Sequence, residues 1–373
     1  VLYYLLINYP MKITLHKDRL QRVLGFVERV TSRNATLPIL SNILLGTENG
    51  RLRVSATNLE VGVSSLIGAK VDEEGRVAVP AKTLSDFIRG VSEENIGLEL
   101  KQNTLTIKAG KYRTTILCFD AAEYPIIPKI NGGEVFQIPA QELHSLINSV
   151  SDSIAASDSR PELAGAFLRF DTNGVTMAAT DIFRLAQRRS PGTFSHTESA
   201  IIPRGTITEL GRILSDIEGE ITIRIAENQI SFTHEEFDVI SRLIDGKYPD
   251  YQKIIPEKSL AKVLVRRDEV ENAAKVAALF SSSISDIKIE CDGEELRITG
   301  KNSSKGEATA GVEANLKGES FEVSMNFHYF LEGLKIIPSE KVVLEFTGKG
   351  SPFVLRPNSD DTEIVYLIMP LRN

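Results

Sequence analysis

Residues Val77–Val91 read VAVPAKTLSDFIRGV, residues Ala200–Leu214 read AIIPRGTITELGRIL, and residues Phe321–Ile337 read FEVSMNFHYFLEGLKII. Each is a short apolar run, a Pro or a small polar step, and then apolar residues three and four apart. That is a strand feeding an amphipathic helix. Pro80, Pro203 and Met325 hold the same place in the three, at spacings of 123 and 122 residues. Further out, Tyr124-Pro125 and Tyr248-Pro249 lie 124 apart, and Met369-Pro370 follows 121 later. Thr57-Asn58 precedes Thr180-Asp181 by 123. Independent landmarks that agree on one period mean three copies of one unit. The 363 residues from Met11 to Asn373 divide into three of 121.

An earlier helix recurs at Lys17–Val30, Ala140–Ala156 and Arg266–Ser282. In the first, Leu20, Val23, Leu24, Val27 and Val30 form one buried stripe. The strands that follow alternate, as in residues 51–56 (RLRVSA), which suits half-buried antiparallel sheet. Glu48-Asn49-Gly50, Asn173-Gly174 and Asp292-Gly293 are hairpin turns at matching places. The fold class expected is α+β: three tandem units at 11–131, 136–256 and 260–373, each a pseudo-duplicated helix-plus-antiparallel-sheet module. Residues 1–10 (VLYYLLINYP) are apolar and uncharged, and read as an extension ahead of the functional start, with an extra edge strand as the rival reading.

Composition excludes several classes of function. Of 373 residues, 43 are Lys or Arg and 50 are Asp or Glu, a net charge of −7, so bulk charge cannot coat nucleic acid. Cys118 and Cys291 are too few for a disulfide scaffold or a Cys-rich metal site, and suit a reducing cytoplasm. No run of about 18 apolar residues is present to span a membrane. The six candidate helices carry a surplus of two positive charges, which leaves −9 on the rest of the chain. Tight sequence-independent DNA binding by counterion release needs several phosphate contacts. If DNA is the partner, something other than affinity must hold it.

Catalytic motifs are absent: no phosphate-binding GxxxxGK[ST], no GxGxxG after a strand, no GxSxG. The five His residues are scattered, and His234-Glu235-Glu236 lacks the second His of a zinc protease, so it reads as a surface turn. Glu73-Glu74, Glu93-Glu94, Glu235-Glu236 and Asp360-Asp361 read as solvated loop charge rather than acid–base pairs. No catalytic residue, metal or cofactor is expected.

Several motifs run in order along the chain. They are TLPIL at 36–40, VPAK at 79–82, ATD at 179–181 with RLA at 184–186, IPR at 202–204, LIDG at 243–246 with YPDY at 248–251, and YLIMPLR at 366–372. In these the chain resembles the bacterial sliding clamps, the beta subunit of DNA polymerase III. The resemblance runs from Met11 to Asn373. It implies three DNA-clamp domains per chain and a head-to-tail homodimer closing a six-domain ring around double-stranded DNA, with no sequence preference and no intrinsic catalysis. Partners would be the DNA polymerase III alpha subunit, an ATP-driven clamp loader, and other polymerases and repair proteins that carry short linear motifs; no membrane is involved. Two other readings remain open on the residues alone: a peptide-binding repeat scaffold that never encloses DNA, and a hydrolase with an unrecognised site.

The resemblance also implies residue roles. The partner-peptide cleft would comprise Leu163, Thr180, Ile182, Phe183, Arg184, Leu185, Pro249, Ile254, Leu367, Ile368, Met369, Pro370 and Leu371. They form an aliphatic set with an adaptable Met. Ile182 and Phe183 stand where the family leads one to expect Gly and His. DNA would face Lys17, Arg22, Arg33, Asn34, Lys82, Ser157 and Arg204. The dimer seam would set Leu279 and Phe280 against Arg113, Thr114 and Ile116. Thr114 replaces an expected aromatic and Phe280 an expected Leu, which reads as a size exchange across the seam.

Overall fold

The hairpin turns close where the sequence places them: Asn49 and Gly50 take φ of 50° and 71°, and Gly293 takes 61°, the left-handed conformations a two-residue hairpin loop demands. The structure is a computed structural model that describes residues 10–31, 37–157, 159–359 and 363–371.

The first repeat runs β1 (Lys12–His16), α1 (Lys17–Val27), β2 (Asn42–Glu48), β3 (Arg51–Thr57), β4 (Val61–Gly68), β5 (Lys70–Glu73), β6 (Arg76–Pro80), α2 (Ala81–Gly90), β7 (Asn95–Lys101), β8 (Thr104–Ala109) and β9 (Tyr112–Leu117). The second runs β10 (Glu134–Pro139), α3 (Ala140–Val150), β11 (Gly165–Asp171), β12 (Gly174–Thr180), β13 (Arg184–Pro191), β14 (Glu198–Pro203), α4 (Arg204–Leu214), β15 (Glu220–Ile225), β16 (Gln229–Thr233) and β17 (Asp238–Arg242). The third runs β18 (Ala261–Arg266), α5 (Arg267–Ala278), β19 (Asp286–Asp292), β20 (Glu295–Asn302), β21 (Gly306–Gly318), β22 (Phe321–Asn326), α6 (Phe327–Ile336), β23 (Lys341–Phe346), β24 (Phe353–Pro357) and β25 (Glu363–Ile368). The first helix of each repeat is shorter than its periodicity suggests. In α1 and α3 the apolar pattern continues through a tighter 3-10 turn, Glu28–Val30 and Ser151–Ser153.

The stripe on α1 is buried as expected, and Phe26 joins it. Each fully buried Leu or Val contributes roughly 1.5–3 kcal/mol, far more than helix propensity does over eleven residues.

The strands pair antiparallel into sheets of five (β5-β1-β7-β8-β9), eight (β10-β15-β16-β17-β4-β3-β2-β6) and twelve (β14-β11-β12-β13-β25-β24-β23-β18-β21-β20-β19-β22). One rule joins repeat to repeat: the last strand of one pairs with the third strand after the first helix of the repeat before it. Thus β17 lies on β4, with Asp238 opposite Ser64 and Ser241 opposite Val61. Likewise β25 lies on β13, with Arg184 opposite Ile368 and Arg189 opposite Glu363. The chain accordingly forms two compact units that cut across the repeats. One takes the described residues up to 140 with 208–243 and holds the five- and eight-stranded sheets; the other takes 141–207 with the described residues from 244 onward and holds the twelve-stranded sheet.

Candidate functional site

The turn between β12 and β13 is fixed by side chains its own sequence supplies. The Asp181 carboxylate accepts from the Phe183 and Arg184 amides, both at 3.0 Å, and from Arg184 Nε at 3.0 Å. Thr180 Oγ1 donates to the Arg184 carbonyl at 2.6 Å and accepts from the Ile182 amide at 3.1 Å. The Thr180 amide donates to the Tyr248 hydroxyl at 3.1 Å, and the Met369 amide donates to the Phe183 carbonyl at 2.8 Å. This network holds Ile182 at φ +73°. Left-handed backbone costs an ordinary L-residue roughly 1–2 kcal/mol, and a β-branched one is a true outlier there. Ile182 and Phe183 are each 55% exposed.

Beneath them Leu163, Leu185 and Leu367 are buried in one cluster with Ala178, Ile201, Tyr248 and Tyr251, and Met369 packs against it. Phe167 stacks on Tyr248 with ring centroids 5.2 Å apart. Burial pushes the Tyr248 hydroxyl well above its usual pKa, so it stays neutral in service as an acceptor. Thr180 and Ile368 are also buried. Ile254 is 47% exposed, while Pro249, Met369, Pro370 and Leu371 are half-buried. The structure therefore gathers Leu163, Leu185, Leu367 and Met369 of the expected cleft residues into a packed floor, with Thr180 on the same face, while Ile368, opposite Arg184, lies on the other face of the sheet. The apolar groups offered to a ligand are Ile182, Phe183, Ile254 and the 369–371 segment.

Arg184 lies on the other face of β13 from this floor, against α6. It ion-pairs with Glu332 of α6 as well as Asp181, and its guanidinium lies 4.4 Å over the Tyr329 ring. Gly333 makes this approach possible, since a Cβ there would come within 2.5 Å of the Tyr366 ring.

The same turn stands at the first joint. Thr57 Oγ1 donates to the Val61 carbonyl at 2.9 Å and accepts from the Leu59 amide at 3.1 Å. Asn58 replaces Asp181 in accepting two amides, and the Thr57 amide donates to the Tyr124 hydroxyl at 3.2 Å. Leu59 takes φ +77°. Sequence reading used Tyr124-Pro125 and Tyr248-Pro249 only as landmarks; the repeated tyrosine hydroxyl that fixes the turn is what it missed.

Residues 11–128, 137–250 and 252–372 match in turn the N-terminal, central and C-terminal domains of the DNA polymerase III beta subunit. The chain belongs to the DNA polymerase III beta subunit family. It is 30% identical over 369 residues to the beta sliding clamp of Pseudomonas aeruginosa and 28% identical over 377 residues to that of Bacillus subtilis, in each case over 97% of this chain and 100% of the relative. Among solved structures, the P. aeruginosa beta subunit superposes with a TM-score of 0.92 at 29% identity, and that of Thermotoga maritima with 0.93 at 25%, both over 97% of this chain and 100% of theirs. The fold is thus three clamp domains of helices and antiparallel sheets, and the chain is a sliding clamp of bacterial DNA replication.

Within this clamp, several basic residues expected to face DNA are already engaged. Arg22 is bidentate to Glu236 at 2.5 and 2.8 Å, which also corrects the reading of Glu235-Glu236 as merely solvated charge. His234, expected at the surface, is half-buried and sits 3.0 Å from the Glu218 carbonyl while receiving the Glu236 amide, so it braces its turn. Lys82 pairs with Asp86 at 2.5 Å, and half-buried Lys17 lies 3.9 Å from Asp18. Arg204, the first residue of α4, and Ser157 are exposed; Arg33, Asn34 and Asp360-Asp361 lie outside the described residues. Arg212, not singled out in the sequence, donates to the Gly25 and Phe26 carbonyls at the end of α1, held by Glu209 at 2.7 Å. Among the described residues no three His, Cys, Asp or Glu side chains gather as metal ligands, and no helix is long and apolar enough to cross a membrane.

The expected seam residues separate by face. On β9, Arg113 points outward and Thr114 is half-buried, whereas Ile116 is only 4% exposed and belongs to the repeat's own core; Leu117 is 77% exposed. Alternation along a strand makes this unavoidable: 114 and 116 share one face, 113 and 117 the other. Leu279, just past α5, is 67% exposed, and Phe280 is half-buried beside Gly306 at the start of β21.

Proposed function

We propose that two copies of this clamp close head to tail into a ring of six domains around duplex DNA, with β9 of one copy pairing with β21 of the other. The observation that carries this is the rule that builds the joints. Each repeat's third strand after its first helix takes the last strand of the next repeat: β4 takes β17, and β13 takes β25. In the third repeat, residues 306–313 of β21 pair, among the described residues, with β20 alone. In the first repeat β9 pairs, among the described residues, with β8 alone, at the end of its sheet. A second copy supplies the missing partner at both ends, and two equal seams related by a two-fold axis close the assembly. Leu117 joins Arg113 and Thr114 on one side of the seam, in place of Ile116, with Leu279 and Phe280 on the other.

Enclosure makes the weak helix charge sufficient. The inner surface has only to tolerate phosphates, through Lys17, Arg22, Lys82, Ser157, Arg204 and the 33–34 loop. A polymerase tethered to the ring gains an effective concentration on the order of millimolar at the primer end. The tether is a short peptide seated on Ile182, Phe183, Ile254 and Met369–Leu371, above the floor of Leu163, Thr180, Leu185 and Leu367. Partners of this kind include the alpha subunit and the clamp loader. The domains of the reading are 11–131, 136–256 and 260–373, and the protein itself does no catalysis. The test is retention after loading onto closed circular DNA and again after linearisation. A ring stays on circles at high salt and leaves once an end is cut; equal loss from both would reject enclosure.

A further inference from the structure

We infer that the first joint carries a second peptide-binding cleft, which takes a short extended segment of a partner protein bearing one aliphatic side chain with a carboxylate beside it. The class of ligand rests on the reading of the second joint as a peptide cleft; the site rests on its own residues.

The two joints share one backbone frame. Ser241 faces Val61 as Ile368 faces Arg184, and Ile240 faces Gly62 as Leu367 faces Leu185. The Arg242 amide donates to the Glu60 carbonyl at 2.9 Å, just as the Met369 amide donates to the Phe183 carbonyl. The threonine turn and the tyrosine hydroxyl that fixes it are common to both. What differs is the filling. At the second joint Leu185 and Tyr251 close the floor. At the first their places fall to Gly62 and Ile127, and a Cβ on Gly62 would already come within 2.9 Å of the Ile127 side chain. A cavity of about 340 Å³ opens beside this pair, large enough for one anchoring side chain and its flanking backbone.

The lining states what fits. Leu59, Ile127 and Ile240 give aliphatic walls, and Ile126 stands 92% exposed at the lip. Arg242 is the exposed cation of the rim, and Glu60, the other charged lining residue, already has a partner. An aliphatic anchor with an adjacent carboxylate complements this; an anchor flanked by Lys does not.

Methyl NMR of the intact chain labelled at Ile Cδ1 tests the inference, because each joint carries its own reporters: Ile126, Ile127 and Ile240 at the first, Ile182 and Ile254 at the second. The probes are decapeptides of Gly and Ser with a central Leu-Asp or Leu-Lys pair. The Leu-Asp peptide is expected to shift the first-joint methyls with a Kd at least fivefold lower than the Leu-Lys peptide. Arg242→Glu, on an exposed side chain, should reverse that preference while the second-joint shifts persist. First-joint shifts without second-joint ones support this site and count against the other. Shifts at the second joint alone, or at neither, overturn it. So does movement of the first-joint methyls when residues 1–10 are deleted without added peptide, since the occupant is then the chain's own apolar N-terminal segment.

Discussion

Replacing Leu279 with Ala should break the ring while sparing the chain. The side chain is 67% exposed in the single copy, so its removal should change folding stability by no more than about 0.5 kcal/mol. In the ring proposed above it would be buried against the partner's β9. Full burial of a Leu contributes roughly 1.5–3 kcal/mol, and the two-thirds still exposed accounts for about 1–2 kcal/mol per seam. A two-fold ring has two seams, so the dimer loses about 2–4 kcal/mol. At 1.4 kcal/mol per factor of ten, its Kd rises by about thirty- to several-hundred-fold. Sedimentation velocity over a concentration series reads this directly, because the 41.1 kDa chain and its dimer separate cleanly. Leu260→Ala is the control. Leu260 is 50% exposed, on the loop before β18 and on neither strand of the seam, and its loss should leave the dimer unchanged. Equal effects of the two substitutions, or a Leu279→Ala dimer as tight as the parent, would refute the strand-pairing argument.

Three further outcomes follow from the joints and the core. Tyr248→Phe should strand the buried Thr180 amide at a cost of about 1–3 kcal/mol and speed its hydrogen exchange by about tenfold or more; Tyr124→Phe should cost more, since that hydroxyl also donates to the Asn42 carbonyl at 3.1 Å. Ile182→Asn should raise the thermal midpoint, worth about 1 kcal/mol from relieved left-handed backbone, while weakening peptide binding at the second joint. Stability should fall in alkali. Burial pushes the Cys118 and Cys291 thiols up to about 11 and the Tyr124 hydroxyl up to about 12, from unfolded values near 9 and 10. Above those unfolded values the unfolded chain releases protons that the native chain keeps, so each group destabilises by about 1.4 kcal/mol per pH unit until its folded pKa is reached. Urea midpoints at pH 8, 9.5 and 10.5 should therefore fall in sequence, and both thiols should resist alkylation at pH 8.

The repeat was legible because its landmarks are local. Pro80 and Pro203 end strands, Asn49-Gly50 closes a hairpin, and Thr57-Asn58 and Thr180-Asp181 supply the oxygens that fix a turn, so a period could be counted without knowing a single contact. The stripe on α1 was legible for the same reason. What escaped depends on pairing between distant strands. Ile116 and Leu117 are adjacent and both apolar, and only the register of β9 on β8 sends one inward and the other out. Glu236 reads as loop charge until its turn is placed beside Arg22. Arg212 looks like any helix-surface cation until the end of α1 presents it with two carbonyls. Leu163, Leu185, Leu367 and Met369 look alike as apolar residues in the sequence, and only their packing around Tyr248 and Tyr251 makes them one floor.

The joints also indicate where a ring of this design must open. In the ring proposed above the six contacts between domains would use one kind of strand pairing, four of them within chains and two between copies. A pairing made within a chain is favoured by an effective concentration on the order of millimolar, because the linker never lets the strands part far. A seam that opens alone is still held closed by the other seam, and only loss of both exposes the two copies to the micromolar free concentration, a difference of about a thousandfold or about 4 kcal/mol. Within the chain β17 on β4 and β25 on β13 are further tied by the tyrosine-held turns beside them. In the β9 and β21 edges the corresponding anchor is the exposed pair Leu117 and Leu279. A loader that strains the ring therefore meets the least resistance at the seam, and Leu279→Ala should lower the barrier to opening as well as weaken the dimer.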